Sequence, residues 1–120
     1  MDYSKLSDFE INKRVADIAM NGTWHVKPSH PDNDTGGWLY GSNGIQTYEL
    51  PDYCNNPADA WPIIAEHGIG IIPYKKGLAE AWNAANGLMS GTTKDGNPLR
   101  AAMIVFLKMK EPANVQDNPA

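Results

Sequence analysis

The sequence predicts an α+β fold, a single small α-β-α layered sandwich in which three helices pack on a short, mostly antiparallel sheet. Three observations carry that expectation. Three segments each join a helix cap to an apolar stripe of helical spacing, starting near residues 8, 57 and 98. Short β-prone runs fill the intervals, giving the order helix, strands, helix, strands, helix. At 120 residues the chain is long enough for one real core and short for two.

The first helix is predicted over 8–20. In "LSDFEI", Ser7 stands at the N-cap and Glu10 at N3, a reciprocal capping box, with Leu6 and Ile11 placed for a hydrophobic staple. Ile11, Val15 and Ile18 recur at helical spacing, while Lys13, Arg14 and Asp17 fall on the wet side. Asn21-Gly22 supplies the stop.

Residues 22–51 change character. "GTWHVK" alternates as a short strand with Trp24 and Val26 on one face, and "PSHPDNDTGG" is a loop by composition. "WLYG" and "IQTYEL" are β-prone runs split by Ser42-Asn43-Gly44, a hairpin-type turn.

The second helix begins at "NNPADAW", with Asn56 as cap, Pro57 at N1 and Asp59 complementing the dipole. Ala60, Trp61, Ile63, Ile64 and Ala65 form its apolar stripe and Gly68 ends it. Pro62 lacks the N–H that would bond Ala58, so a bend is expected there. "IGIIPY" follows as an apolar strand. For residues 78–86, propensity favours a short helix, whereas a hairpin back onto 69–74 through Lys75-Lys76-Gly77 favours a strand. "GLMSGTTKDG" is read as a loop. The third helix opens with Asn97 as cap and Pro98 at N1, and it is apolar nearly all round, hence mostly buried. Arg100, Lys108 and Lys110 keep its ends wet. Residues 1–111 form one domain in this reading, and 112–120 a frayed tail.

Bulk composition narrows the function. The chain is 42% hydrophobic and 20% charged, an ordinary globular profile. A net charge of −4 disfavours a nucleic-acid binder, since Lys75-Lys76 is the densest basic pair. A single cysteine asks for no oxidising compartment, and no signal-type or membrane-length apolar run occurs. These features predict a soluble cytosolic protein. Two Asn-x-Thr triplets, at Asn21 and Asn33, are read as chance.

Three strings, "YSKLSDFEINKRVA", "DYCNNPADAWPII" and "NPLRAAMIVFLKMK", are similar to blocks of the NinX-like proteins of tailed bacteriophages and prophages, a family carrying a domain of unknown function. The resemblance spans the domain. It implies phage origin, a host bacterial cytoplasm and a layout like small phage α-β-α sandwich domains, and it tips residues 78–85 toward a strand bearing Trp82. It implies no catalytic residues.

No complete catalytic or metal constellation emerges, and no cofactor is expected. Cys54, near a helix start, has no base placed beside it by the sequence. A packed thiol is favoured about five to one over a nucleophile. "DNDTGGWLYGSN" begins like a calcium loop but has Asn43 where Glu is required, and it fits no zinc pattern with His25 and His30. "GLMSGTTKDG" fails the phosphate-loop spacing. Core packing accounts for Trp61 and Trp82, leaving Trp38 and Tyr40 as the expected exposed aromatics. The candidate binding surface gathers Trp38, Tyr40, Tyr48, Cys54, Asn56 and Asn97, the last two as helix N-termini able to receive anions. The leading function is a non-enzymatic phage accessory protein that binds a host or phage protein. The alternative is a protein that binds or sequesters a small anionic, nucleotide-type signal. A Cys54-dependent enzyme and a nucleic-acid binder rank lower. Oligomeric state is not legible.

Overall fold

Helix α1 spans Asp8–Ala19 in the computed structural model, which describes residues 2–20, 24–42, 46–86 and 90–111. The capping box closes as its residues dictate: Ser7 Oγ accepts from the Glu10 N–H at 3.0 Å, and Glu10 Oε1 accepts from the Ser7 N–H at 2.8 Å. Ile11, Val15 and Ala16 are fully buried, and a 3-10 turn at Tyr3–Lys5 leads in. The expected stop at Asn21-Gly22 lies outside the described residues.

Helix α2 spans Pro57–His67 and runs continuously through Pro62. Ala58 and Pro62 both lie on its exposed face, where water can serve the carbonyl that proline leaves without a donor. Gly68 ends the helix at φ 65°, the left-handed conformation glycine adopts without strain. Helix α3 spans Pro98–Lys110, and every residue from Ala101 to Leu107 is buried. Its start departs from expectation. Arg100 is not a wet end, because its side chain is only 12% exposed.

The strands form two sheets rather than the single sheet expected. β1 (Trp24–Val26), β2 (Leu39–Ser42) and β3 (Gln46–Glu49) make one antiparallel meander before α2. β4 (Ile69–Lys75), β5 (Leu78–Asn83) and β6 (Ser90–Asp95) make another after it. Each set pairs with its own sequence neighbours, and α2 lies between the two sets in the chain. Residues 78–83 are strand, followed by a 3-10 turn at Ala84–Asn86. Residues 90–95 are also strand, not loop. Gly and Ser in this segment suggested a connector, but pairing with β5 satisfies its backbone. The β2–β3 hairpin forms, although positions 43–45 lie outside the described residues.

Helix α3 is the centre of the molecule. It packs across β4, β5 and β6 and also takes α1 and α2, which is why its apolar surface is buried all round. Ala79 and Ala81 on β5 are small enough to let the helix approach. The arrangement is α+β, with the β4–β6 sheet carrying a helix on one face only among the described residues. No described helix is long and apolar enough to cross a membrane.

Candidate functional site

Where α3 begins, side chains from four segments interlock. The segment Asp52–Asn56 leaves the first sheet and must cap α2, and its polar groups find partners on α1 and α3. Asn12, 6% exposed on α1, accepts from the Cys54 N–H at 3.0 Å and donates to Asp52 Oδ1 at 2.9 Å. Asn55 donates to Asp52 Oδ1 and to Asp8 Oδ2, both at 3.1 Å. From α3, Asn97 donates to the Cys54 carbonyl at 2.7 Å and to Asn55 Oδ1 at 3.1 Å, while its own Oδ1 caps the Leu99 and Arg100 N–H groups. Arg100 completes the lock. Nε meets Asp95 at 3.0 Å, Nη1 meets Asp8 at 2.8 Å, and Nη2 donates to the Leu6 and Ser4 carbonyls.

The structure therefore brings Cys54 and Asn97 together, but as bracing. The thiol is fully buried, with the Asp8 carbonyl 3.9 Å from Sγ. Burial pushes its pKa up to about 12, and Asp8, Asp52 and Asp95 add to the shift. A thiol so protonated is no nucleophile at neutral pH. The sign of the linkage follows. The folded pKa lies above that of an unfolded thiol, so the stability from Cys54 is intact below the unfolded value near 9 and is lost as pH rises toward 12. Tyr53, pushed up to about 12 by burial and Asp59, acts in the same direction. The stability read by equilibrium unfolding should thus fall progressively between about pH 9 and 12, and Cys54→Ala together with Tyr53→Phe should flatten that slope. An unchanged slope would remove both groups from the account.

The aromatic candidates separate. Tyr40, expected to be exposed, is 1% exposed, with its hydroxyl 3.3 Å from Asp17 Oδ1. It lies on the central strand of its sheet, facing α1, which no local pattern revealed. Trp38 is half-buried between Phe9, at a ring separation of 6.3 Å, and His25, at 5.3 Å, with Lys13 Nζ 4.6 Å from its centroid. These two rings clasp the first sheet to α1. Tyr48, opposite Tyr40 but on an edge strand, is 51% exposed. It lines an open cleft of about 570 Å³ with Met20, Leu50, Tyr53 and the carboxylates Glu49, Asp52 and Asp59. Asn56 is exposed and caps α2 through the Ala58 N–H. The six candidates do not form one site.

Neither helix N-terminus is an open anion receptor. The Leu99 and Arg100 N–H groups are taken by Asn97, and the Ala58 N–H by Asn56. Asp59 accepts from the Asp52 N–H at 2.9 Å, adding negative charge at the start of α2. In the acidic loop, Asn33 is the organiser. Its amide donates to the Lys27 and Gly37 carbonyls, and its Oδ1 receives Thr35 and Gly36. Among the described residues no three metal-ligating side chains converge.

Trp61 departs furthest from expectation. Read as core, it is 63% exposed. Ala60, Ile63 and Ile64 provide the buried stripe of α2 without it. Ala58, Trp61, Pro62 and Ala65 form a second stripe at i, i+3, i+4 and i+7, all exposed. The tight apolar run had hidden the fact that this helix is apolar on two faces.

A family model described as "Bacteriophage P22, NinX" matches residues 2–110, which takes in every element described above. No curated protein and no solved structure matches the chain.

Proposed function

The chain belongs to the NinX family of bacteriophage P22, and on that premise we propose a phage accessory protein that acts by binding a host or phage protein in the host cytoplasm. One observation carries the reading, the outward stripe of α2. Folding has no use for a tryptophan 63% in water beside exposed Pro62, Ala58 and Ala65. Apolar helix faces of this kind are what partner proteins cover, and tryptophan is among the residues that dominate such interfaces. The domain that presents it is residues 1–111, one core built around α3.

The rival reading, a small anionic ligand, has less support. The cap donators it needs are occupied, and the cleft beside Tyr48 is lined by three carboxylates and no cation. Affinity capture from infected host lysate tests the leading reading. A partner should be recovered reproducibly by the wild type and lost by at least about thirtyfold with Trp61→Glu, the size of a hot-spot residue. Trp61→Glu should keep the wild-type melting temperature, because the side chain is mostly solvated. Failure to recover a partner, or a partner indifferent to position 61, would refute the proposal.

A further inference from the structure

The β4–β6 sheet presents α3 with one face, and the opposite face holds the more unusual chemistry. Strand register places Ile72 of β4, Leu78, Glu80 and Trp82 of β5, and Lys94 of β6 on that side, and a hydrogen bond to Glu80 places Tyr74 there too. Tyr74 is 53% exposed and Leu78 39%. The Trp82 indole packs against Gly70 of β4, so close that an added Cβ there would stand 2.6 Å from the ring. Only glycine permits this approach, and the indole stays partly exposed. Tyr74 is anchored too, its hydroxyl donating to Glu80 at 2.7 Å.

The charge around these rings is opposite to that of the chain as a whole. Lys75 and Lys76 at the β4–β5 turn and Lys94 on β6 are exposed, and none of their side chains has a hydrogen bond or ion pair among the described residues. The one carboxylate on the face, Glu80, is 9% exposed and already holds Tyr74. The exposed charges on the face are these three cations, within a molecule of net charge −4, and Asp2 shares a hollow with Lys94 at the β6 edge. Carboxylates instead concentrate at the cleft beside Tyr48. The net charge averaged over a polarised surface.

We propose that this outer sheet face binds single-stranded nucleic acid, with Tyr74 and Trp82 stacking on bases and Lys75, Lys76 and Lys94 meeting the phosphates. Flat aromatic rings on an open sheet, ringed by lysines, suit unpaired bases, whereas duplex would hide its base faces from them. The site shares no residue with the α2 stripe.

Fluorescence anisotropy with labelled oligothymidylate and oligouridylate of about twenty nucleotides tests this at low salt. Binding should exceed that of a matched duplex and weaken with salt on a log–log slope near −2, as about three phosphate contacts require. Tyr74→Ala should weaken it about tenfold, and Lys75→Ala/Lys76→Ala should flatten the salt slope. Both are surface changes, and circular dichroism checks that each variant folds. No detectable binding to either oligonucleotide would overturn the proposal. So would binding that Tyr74→Ala leaves intact and that polyglutamate competes, since that is plain ion exchange. Concentration-dependent self-association lost in Tyr74→Ala, without oligonucleotide binding, would assign the face to a second copy and equally overturn it.

Discussion

Arg100→Met is expected to destabilise the fold by about 3–5 kcal/mol, the range for breaking a buried charge cluster from one side. The guanidinium joins Asp8, Asp95 and the Leu6 and Ser4 carbonyls, so it ties the lead-in to α1, the end of β6 and the start of α3. Methionine fills much of the space but leaves Asp95, 17% exposed, without its counter-charge. Asp8 is 46% exposed, and water recovers part of its loss. Arg100→Lys is the sharper comparison. An ammonium carries the same charge but lacks the planar fork that reaches two carboxylates and the backbone together. It should recover less than half of the loss, about 1–2 kcal/mol. Urea unfolding followed at 222 nm reads both variants. A lysine variant as stable as the wild type would mean that charge alone matters, and the bracing account of Arg100 would be wrong.

Local chemistry was legible because it is local. The capping box at Ser7 and Glu10, the two Asn-Pro helix starts and the buried stripe of α3 each rest on residues within a turn of one another. Pairing across the chain was not legible. Nothing near Arg100 announces that Asp8, 92 positions earlier, will receive it, so local sequence alone makes it look like a solvated helix-end cation. The split into two sheets was missed for a related reason. Strand propensity says which residues extend but not which strands they meet, and β3 and β4 belong to different sheets. Trp61 failed differently. An unbroken run of apolar residues cannot show which of them faces inward, and only the position of α3 decides that Ile63 and Ile64 do.

The block "DYCNNPADAWPII" thus has two halves with opposite tasks. Asp52, Cys54 and Asn55 turn polar groups toward α1 and α3, and Trp61 and Pro62 point apolar groups outward from α2. The buried Cys54 belongs to the first half. Its value is its size and its backbone, both of whose polar groups are bonded to asparagine side chains. That makes the lock a hydrogen-bonded base for the exposed helix face, which would limit the entropy lost on association if that face binds as proposed.

The strength of that lock can be separated from ordinary helix capping at Asn97. Asn97→Ala should cost about 2–3 kcal/mol, combining a cap of about 1 kcal/mol with the loss of donors to the buried Cys54 carbonyl and to Asn55. Asn97→Ser and Asn97→Asp each preserve an acceptor for the Leu99 and Arg100 N–H groups. As caps, asparagine, aspartate and serine are nearly equal. If capping were the whole role, both variants would match the wild type. In the lock they should not. Serine is too short to reach Cys54, and an aspartate would set a carboxylate against the Cys54 carbonyl, the Asn55 oxygen and Asp95. The expected order of stability is Asn, then Ser, with Asp near or below Ala. A double-mutant cycle between Asn97→Ala and Asn55→Ala should show a coupling of at least about 0.5 kcal/mol, as for groups in one hydrogen-bond network. Additive losses, together with full stability of Asn97→Asp, would reduce Asn97 to a helix cap. The junction would then be a set of independent contacts rather than a single brace.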